Sequence, residues 1–367
     1  MTKFGNDRRS SQELVYAAVE EALKDADMKP DKIDAAIVAT EDSNFDGEHQ
    51  RHYGPVLNGL LKKRVPVIRV SAVCGGGGTA FWSALNLKYN NVLVVGVERI
   101  VTTTTETLTA EILQAADKTW EQEEGLIFPA QNALVAQQHM LRYGTTPHDL
   151  ALIAYKNHQN AFSNPKTAFF QKKVTLEQIE KSPMVASPLR LFDCTINVNG
   201  AAACIVSNDK SDVQVAGSGL ASDFLATFER EDMTTWRATE IAAKTAFSQA
   251  GITPQDIDVA ELHDAFTIVE LIAYEDMGFC KKGEGSKLIR DGTVSLHGRL
   301  PVNTSGGLKA RGHPISATGL AQIYEITKQL RDECKDRQVS HPKYGLTQNI
   351  GGAGGTVSVH ILRKVSS

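Results

Sequence analysis

The chain has few cysteines and no motif that would pair them. It contains five, an odd number, and neither a Cys-x-x-Cys nor a His-Glu-x-x-His motif occurs. A disulfide framework needs paired thiols and a structural zinc site needs closely spaced ligands, so both classes are excluded. Unpaired thiols are typical of a reducing compartment, which predicts a cytoplasmic protein. The five are Cys74, Cys194, Cys204, Cys280 and Cys334.

Long apolar runs are missing as well. Residues 91–97 are typical of the longest run, far below the roughly 18 residues that a membrane-spanning helix needs. Residues 1–5 lack the apolar core of a signal peptide. We therefore expect neither a membrane span nor a secretion signal.

Neither sign of charge dominates the chain. The 39 Lys and Arg residues against 43 Asp and Glu residues leave a net charge of −4, which argues against a broad nucleic-acid surface or an acidic tail. Apolar residues make up 42% of the chain, enough to bury a sizeable core, so global disorder is excluded.

Glycine is present in clusters. Three groups stand out among the 29 glycines: residues 75–78, 306–312 and 351–355. Glycine clusters mark tight strand-to-helix turns or close backbone approach, so we expect functional residues beside them.

A helix, a proline and a short strand recur 224 residues apart, which indicates an internal duplication. Strands alternate with helices in both copies, so we expect parallel pairing in an α/β layered fold. The predicted halves are residues 1–210, with an insertion at about 100–190, and residues 211–367. The matching pairs are Ala18/Ala242, Ala22/Ala246, Ala26/Ala250, Pro30/Pro254, Ile33/Ile257 and Asp34/Asp258.

Cys74 precedes the first glycine cluster, between a predicted strand (65–73) and a predicted helix (79–89). A thiol at the start of a helix is favoured as thiolate, and bare backbone N–H groups beside it suit a nucleophile with an oxyanion hole. A buried structural cysteine beside a tight turn fits the same pattern. A dinucleotide fingerprint also fits, with Gly75-x-Gly77-x-x-Ala80 and Glu98 about 20 residues on, but it leaves the cysteine unexplained.

Three further motifs place polar groups or bare backbone at the ends of strands, where α/β folds build their sites. Two of them carry a histidine, His263 and His313. The motifs span residues 261–266, 303–314 and 348–355.

Together these motifs resemble the thiolase superfamily, specifically its archaeal and sterol-carrier-type branch. The resemblance covers nearly the whole chain, and its most specific block is residues 306–319, Gly-Gly-Leu-Lys-Ala-Arg-Gly-His-Pro-Ile-Ser-Ala-Thr-Gly. It implies a duplicated five-layer αβαβα fold with two mixed sheets. It also implies that acyl groups enter and leave as coenzyme A (CoA) thioesters.

The resemblance assigns a role to each motif. Cys74 matches the acyl-accepting nucleophile, and His313 matches the base that takes its proton and helps to bind the enolate oxygen. His263 matches the residue that completes that oxyanion site. The N–H groups of Cys74 and Gly351 match a second oxyanion hole, which holds the oxygen of the acyl-enzyme.

One departure concerns the second catalytic cysteine of many thiolases, which moves a proton at the substrate α-carbon. The two positions that can carry it are Asn349 and Ala265 here, and neither side chain can do so. Our hypothesis is that His263 takes over the role. We assign Asn349 and Phe266 to substrate binding.

A second departure lies at the start of the chain, where Met1 directly precedes the Thr-Lys-Phe-Gly motif. Related chains have a short apolar strand there, so we expect an altered start or a strand contributed by a partner.

The resemblance further implies no metal, no bound cofactor and CoA as co-substrate. Expected partners are a second copy or more of the chain and a small acyl-CoA-binding protein with an OB-fold and a zinc ribbon.

Several alternatives stay open. The substrate is acetoacetyl-CoA or a bulky, aromatic β-keto acyl-CoA, and the reaction can also be that of a thiolase-like acyl synthase or retro-aldolase. A non-catalytic acyl-CoA-binding scaffold is the alternative from another class.

Lys309 and Arg311 either assist the CoA phosphates or are solvated. Residues 42–47 mimic a calcium loop, but Tyr53 stands where its closing Glu is needed.

Overall fold

Most of the strands predicted from the sequence are present in the computed structural model. The model describes residues 1–41, 48, 50, 52–101 and 104–365, so the calcium-loop mimic at 42–47 lies outside the described residues. Its strands are β1 Ala35–Ala39, β2 Val67–Val70, β3 Asn91–Glu98, β4 Met184–Ala186, β5 Leu189–Arg190, β6 Gly200–Ser207, β7 Val213–Ser222, β8 Val259–Glu261, β9 Tyr344–Gly351 and β10 Thr356–Lys364.

The helices alternate with these strands except in the predicted insertion, which is mainly helical. They are α1 Ser11–Asp25, α2 Tyr53–Leu61, α3 Gly76–Leu85, α4 Thr105–Leu113, α5 Phe128–Tyr143, α6 Pro147–Phe162, α7 Leu176–Glu180, α8 Arg237–Ala250, α9 Thr267–Asp276, α10 Gly285–Arg290 and α11 Thr318–Leu330. No helix in the described ranges has both the length and the apolarity to cross a membrane.

The predicted repeat is present in the elements themselves. A one-turn helix at Pro30–Lys32 leads into β1, and a matching turn at Pro254–Asp256 leads into β8. Both strands are fully buried. Each is preceded by an amphipathic helix, α1 or α8, whose apolar side faces its sheet.

Two mixed four-stranded sheets form the centre of the fold, with orders β2-β1-β3-β6 and β7-β10-β9-β8. In the first, β1 runs parallel to β2 and β3, and β6 closes the sheet antiparallel to β3. In the second, β8 is parallel to β9, while β10 is antiparallel to both β9 and β7. Mixed sheets are what the duplicated fold predicts.

Five layers follow from the helix contacts. Helices α1 and α2 cover the outer side of the first sheet, and α8 covers the outer side of the second. Helices α3 and α11 contact each other and both sheets, so they form the middle layer. The loops before these two helices therefore meet inside the molecule, which places Cys74 near His313.

The start of the chain runs beside the first residues of β6. The Thr2 N–H donates to the Ala201 carbonyl at 2.9 Å, and Gly5 forms a bridge with Asn199. Beyond these contacts, α1 packs along β6. The expected extra strand stays a prediction.

Candidate active site

Cys74 lies in a sharp turn between β2 and α3, as predicted. It is the middle residue of a one-turn helix, Val73–Gly75, that leads directly into α3. Val73 has a φ of +50°, a left-handed conformation that is strained for a β-branched residue and is typical of functional turns. The thiol therefore sits at the positive, N-terminal end of a helix.

The glycines after Cys74 allow this turn to pack against the second sheet. A Cβ on Gly75 would lie 2.9 Å from the Gly351 nitrogen, and a Cβ on Gly78 would lie 2.0 Å from the Ser358 Oγ. The protein itself thus fills the space in which a dinucleotide's pyrophosphate would bind. Glu98, the ribose ligand in that interpretation, is 2% exposed. The geometry does not support nucleotide binding.

His313 presents an unpaired nitrogen to the site. Its Nδ1 lies 2.7 Å from the Thr318 Oγ1, whereas its Nε2 is buried without a partner among the described residues. Burial lowers the pKa of His313 to about 3, and the nearby Arg311 charge acts in the same direction. The imidazole is therefore neutral. In the tautomer whose Nδ1–H donates to Thr318, the Nε2 lone pair is free to accept a proton.

His263 lies beside His313, with the rings perpendicular and their centroids 5.6 Å apart. The His263 Nδ1 accepts a hydrogen bond from the Ile350 N–H at 3.3 Å. Burial, and secondarily His313, lowers the pKa of His263 well below its ordinary value. A neutral ring that accepts at Nδ1 carries its proton on Nε2, so His263 suits the donor role in an oxyanion site.

The Cys74 thiol is protonated at neutral pH in this environment. Burial, and secondarily the Glu41 and Glu98 carboxylates, raises its pKa to about 12, although the N–H groups of Gly352 and Cys74 itself act against this rise. The helix end favours the thiolate, but burial outweighs it, so the nucleophile needs a base. The sequence analysis did not identify the Gly352 N–H as a group near the thiol. It assigned the oxyanion hole to the neighbouring Gly351, and that assignment stays a prediction.

Asn349 is held by the nucleophile's own loop. Its Oδ1 accepts from the Gly78 N–H at 3.0 Å, and its Nδ2 donates to the Cys74 carbonyl at 2.9 Å. The same Nδ2 lies 3.4 Å from the His263 Nδ1. Phe266 is 8% exposed and packs in the hydrophobic core. Substrate contact by Asn349 and Phe266 stays a prediction.

Two buried carboxylates hold the loop that carries His313. The Asp264 carboxylate accepts from the Leu308 N–H at 2.6 Å, and the Glu261 carboxylate accepts from the Ser305 N–H at 3.0 Å. Both acids follow or end β8, beside His263. Their position at the end of a strand could have marked these two acids as site residues in the sequence. The loop that they bind lies about 44 residues away, so that contact could be found only from the fold.

Lys309 and Arg311 are neither solvated nor available to CoA, so both earlier interpretations are wrong. They are 0% and 1% exposed. The Lys309 Nζ donates to the Asp193 carbonyl at 2.7 Å, and Arg311 pairs with Glu261 at 3.4 Å. Buried cations need such partners, so the two side chains stabilise the loop instead.

Among the described residues, no group of three or more Cys, His, Asp or Glu side chains could hold a metal ion. The geometry instead assembles a half-buried thiol, a neutral imidazole with a free lone pair and a second imidazole suited to donate. Such a set can form a covalent acyl intermediate and stabilise an oxyanion.

Comparison with known proteins agrees with this chemistry. The family model described as the N-terminal domain of thiolase matches residues 1–203, and the one described as thiolase C-terminal domain-like matches residues 219–364. Acetyl-CoA acetyltransferase of Methanothermobacter thermautotrophicus is 40% identical over 99% of this chain and 97% of the relative. Benzoylsuccinyl-CoA thiolase subunit BbsB of Thauera aromatica is 34% identical over 96% of this chain and 92% of the relative.

Solved structures share the fold over nearly the whole chain. The Ltp2-ChsH2(DUF35) aldolase superposes with a TM-score of 0.82 at 26% identity, covering 99% of this chain and 95% of that one. Human mitochondrial 3-ketoacyl-CoA thiolase superposes with a TM-score of 0.72 at 16% identity, covering 100% and 97%. The chain has the duplicated thiolase fold, belongs to the thiolase family and is an acyltransferase of the thiolase type.

Proposed function

We propose that the chain cleaves a β-keto acyl-CoA, or forms it in reverse, through an acyl group carried by Cys74. The observation that carries this proposal is that the turn with Cys74 packs against the turn that follows His313, whose buried Nε2 has no partner among the described residues. A thiol whose pKa is raised to about 12 reacts only when a base removes its proton, and His313 is a neutral base at physiological pH.

In cleavage, the His313 Nε2 takes the thiol proton and the sulfur of Cys74 attacks the keto carbon. The bond between the α- and β-carbons breaks, and the electron pair moves to the thioester oxygen as an enolate. The His263 Nε2–H and His313 stabilise that oxygen, while the N–H groups of Cys74 and Gly351 hold the acyl-enzyme oxygen. Free CoA, a co-substrate and not a bound cofactor, then takes the acyl group.

The CoA chain is proposed to approach through a surface pocket beside the last glycine loop. Thr227, Arg230, Trp236 and Ala353 line it, among others. The Arg230 side chain donates to the carbonyls of Phe224 and Ala353, so it is held at the rim. An arginine at this position supplies positive charge for a phosphate, the role that Lys309 and Arg311 cannot perform.

The proposed substrate is acetoacetyl-CoA, because the relative that is 40% identical is named acetyl-CoA acetyltransferase. An aromatic β-keto acyl-CoA is the second candidate, because the relative that is 34% identical is named benzoylsuccinyl-CoA thiolase subunit. The two substrates can be compared by measuring CoA-dependent cleavage of each. The substrate with the higher kcat/KM is the preferred one.

A retro-aldolase and a non-catalytic scaffold are the remaining alternatives, the first because one structural neighbour is titled an aldolase. An aldolase of this shape does not need a thiol nucleophile. A Cys74→Ala variant that retains cleavage would therefore favour the aldolase. Wild-type protein that binds acyl-CoA but releases no product from any β-keto acyl-CoA would favour the scaffold.

We further propose two halves, residues 1–210 and 211–367, and a cytoplasmic homodimer. The outer edge of β2 supports the dimer, because no other strand of the described ranges pairs with it and Ile68 on it is 45% exposed. A small OB-fold and zinc-ribbon partner is also proposed. It is supported by the name of the Ltp2-ChsH2(DUF35) aldolase, which joins two components and includes DUF35.

A further inference from the structure

A thiolase-type cleavage needs a group that carries a proton to the substrate α-carbon. Cleavage leaves an enolate whose α-carbon must gain a proton, and the two positions that can hold a second cysteine carry Ala265 and Asn349. Alanine has no proton to give. The Asn349 amide is occupied by the Gly78 N–H and the Cys74 carbonyl.

His263 is poorly suited to this transfer. It is neutral, since burial holds its pKa well below the ordinary value, and its Nδ1 already accepts from the Ile350 N–H. Giving up the Nε2 proton would leave an imidazolate anion in a buried site, which is costly. Hydrogen bonding to an oxyanion carries no such cost.

Glu41 lies at the same edge of the sheet as Cys74. Strands β1 and β2 are parallel, with Ala39 opposite Val70. Glu41 follows β1 by two residues and Cys74 follows β2 by four, so both loops leave the sheet on the same side. Of the charged groups around the thiol, the Glu41 carboxylate raises the pKa of Cys74 most.

The two oxygens of the Glu41 carboxylate have different environments. Its Oε2 accepts a hydrogen bond from the Ser71 Oγ at 2.9 Å, three residues before the nucleophile. Its Oε1 is buried and has no partner among the described residues. A carboxyl group with one oxygen fixed and the other unoccupied has the geometry of a proton carrier.

Glu98 fixes the backbone beneath Glu41. The Glu98 Oε2 accepts from the Glu41 N–H at 3.2 Å and from the Ser316 N–H at 3.4 Å. Ser316 follows His313 by three residues. The buried Glu98 carboxylate thus ties the Glu41 loop to the turn that carries the base.

We propose that Glu41 is the group that moves the proton at the substrate α-carbon in place of a second cysteine. This rests on the proposed function. In cleavage, the Glu41 carboxylate takes the former Cys74 proton from the His313 imidazolium and gives it to the α-carbon of the enolate. Neutral His313 then takes the proton of the CoA thiol as the CoA sulfur attacks the acyl group, and returns that proton to the departing sulfur of Cys74. Glu41 and His313 end in the states in which they began, and the CoA proton replaces the one that Cys74 lost to the product.

The test separates proton transfer from acyl transfer. Wild type, Glu41→Gln and His263→Asn are mixed with acetyl-CoA in D2O, and two rates are measured: acetylation of the protein by mass spectrometry, and deuterium entry into the acetyl methyl group. Glu41→Gln should acetylate within a few-fold of wild type but exchange deuterium at least 100-fold more slowly. Glu240→Gln changes a partly exposed glutamate that pairs with Arg237; it is the matched control and should match wild type in both rates.

Wild-type exchange in Glu41→Gln would overturn the inference, and so would loss of exchange in His263→Asn alone. A folded Glu41→Gln protein that fails to acetylate would also overturn it, because Glu41 would then act before the proton transfer; thermal melting checks the fold. Wild type that is acylated neither by acetyl-CoA nor by an aromatic β-keto acyl-CoA would overturn the proposed function, and the inference with it.

Discussion

The residues around Cys74 are arranged so that the resting site holds little charge. Burial keeps both His263 and His313 neutral, and it keeps the Cys74 thiol protonated. Glu98 belongs to the same pattern, because burial, and secondarily Glu41, raises its pKa to about 7. A site of neutral groups can take up a substrate without first breaking ion pairs, and its charges develop only during the reaction.

Glu98 should make the stability of the protein depend on pH. Its ordinary pKa is 4.5 and its folded pKa is about 7, so between these values the folded chain keeps a proton that the unfolded chain loses. Stability contributed by that proton falls as pH rises through this window. Relative to wild type, Glu98→Gln should therefore gain unfolding free energy, on the order of 3 kcal/mol, between pH 4.5 and 7.5. Urea unfolding of both proteins across this range measures it, and parallel curves would contradict it.

Asn349→Cys should not restore an ordinary thiolase site. The change removes the hydrogen bonds to the Gly78 N–H and the Cys74 carbonyl, and leaving such buried groups unpaired costs about 1–3 kcal/mol each. We expect lower stability in urea and slower acylation of Cys74. Ala265→Cys adds a thiol without removing these bonds and is the control. An Asn349→Cys protein as stable as wild type would show that the two Asn349 hydrogen bonds do not stabilise the fold.

At the scale of elements, periodicity predicted the strands and helices well because their apolar patterns are strong. The apolar run at 91–97 lies in β3, Asn91–Glu98. After the motif with His313, α11 starts at Thr318, and Gly312, with a φ of +108°, ends a separate buried turn at Gly307–Arg311 before it. Such irregular turns are held by distant side chains, so local pattern does not reveal them.

The glycine cluster after Cys74 matters for packing as much as for chemistry. Gly78→Ala would place a Cβ 2.0 Å from the Ser358 Oγ and 3.0 Å from the Asn349 Cβ, so we expect a loss of about 1–3 kcal/mol in unfolding free energy. Gly59→Ala, in α2 with nothing within 4 Å of its added Cβ, should be neutral or slightly stabilising. Thermal and urea unfolding compare the two, and equal effects would contradict the packing argument.

At the scale of the whole molecule, the site exists because the middle layer brings two distant loops together. Sequence motifs identified Cys74, His263 and His313, which lie at recognisable strand ends. They could not identify Glu41 or Gly352, because neither residue has a distinctive local pattern and each acquires its role only through contact with the Cys74 turn. Burial of Lys309 and Arg311 was missed for the same reason, since their partners lie on other elements.

Assembly can be tested at the free edge of the first sheet. Ile68→Lys places a charge on the outer strand β2, where lysine is known to block edge pairing, so the proposed dimer should dissociate to monomers. Tyr16→Lys, on the 53% exposed Tyr16 of α1, is the control and should leave the dimer intact. Light scattering with size-exclusion chromatography measures both masses. A dimer that persists in Ile68→Lys would place the interface elsewhere.

The central claim is that Cys74 carries the acyl group, and the most direct test is to locate that group. The protein is mixed briefly with acetoacetyl-CoA without free CoA, quenched in acid and digested, and the peptide containing Cys74 is analysed by mass spectrometry. The account predicts an acetyl group on Cys74, lost when CoA is added before the quench and absent in Cys74→Ala. An acetyl group on another residue, or cleavage of acetoacetyl-CoA with none on Cys74, would contradict it.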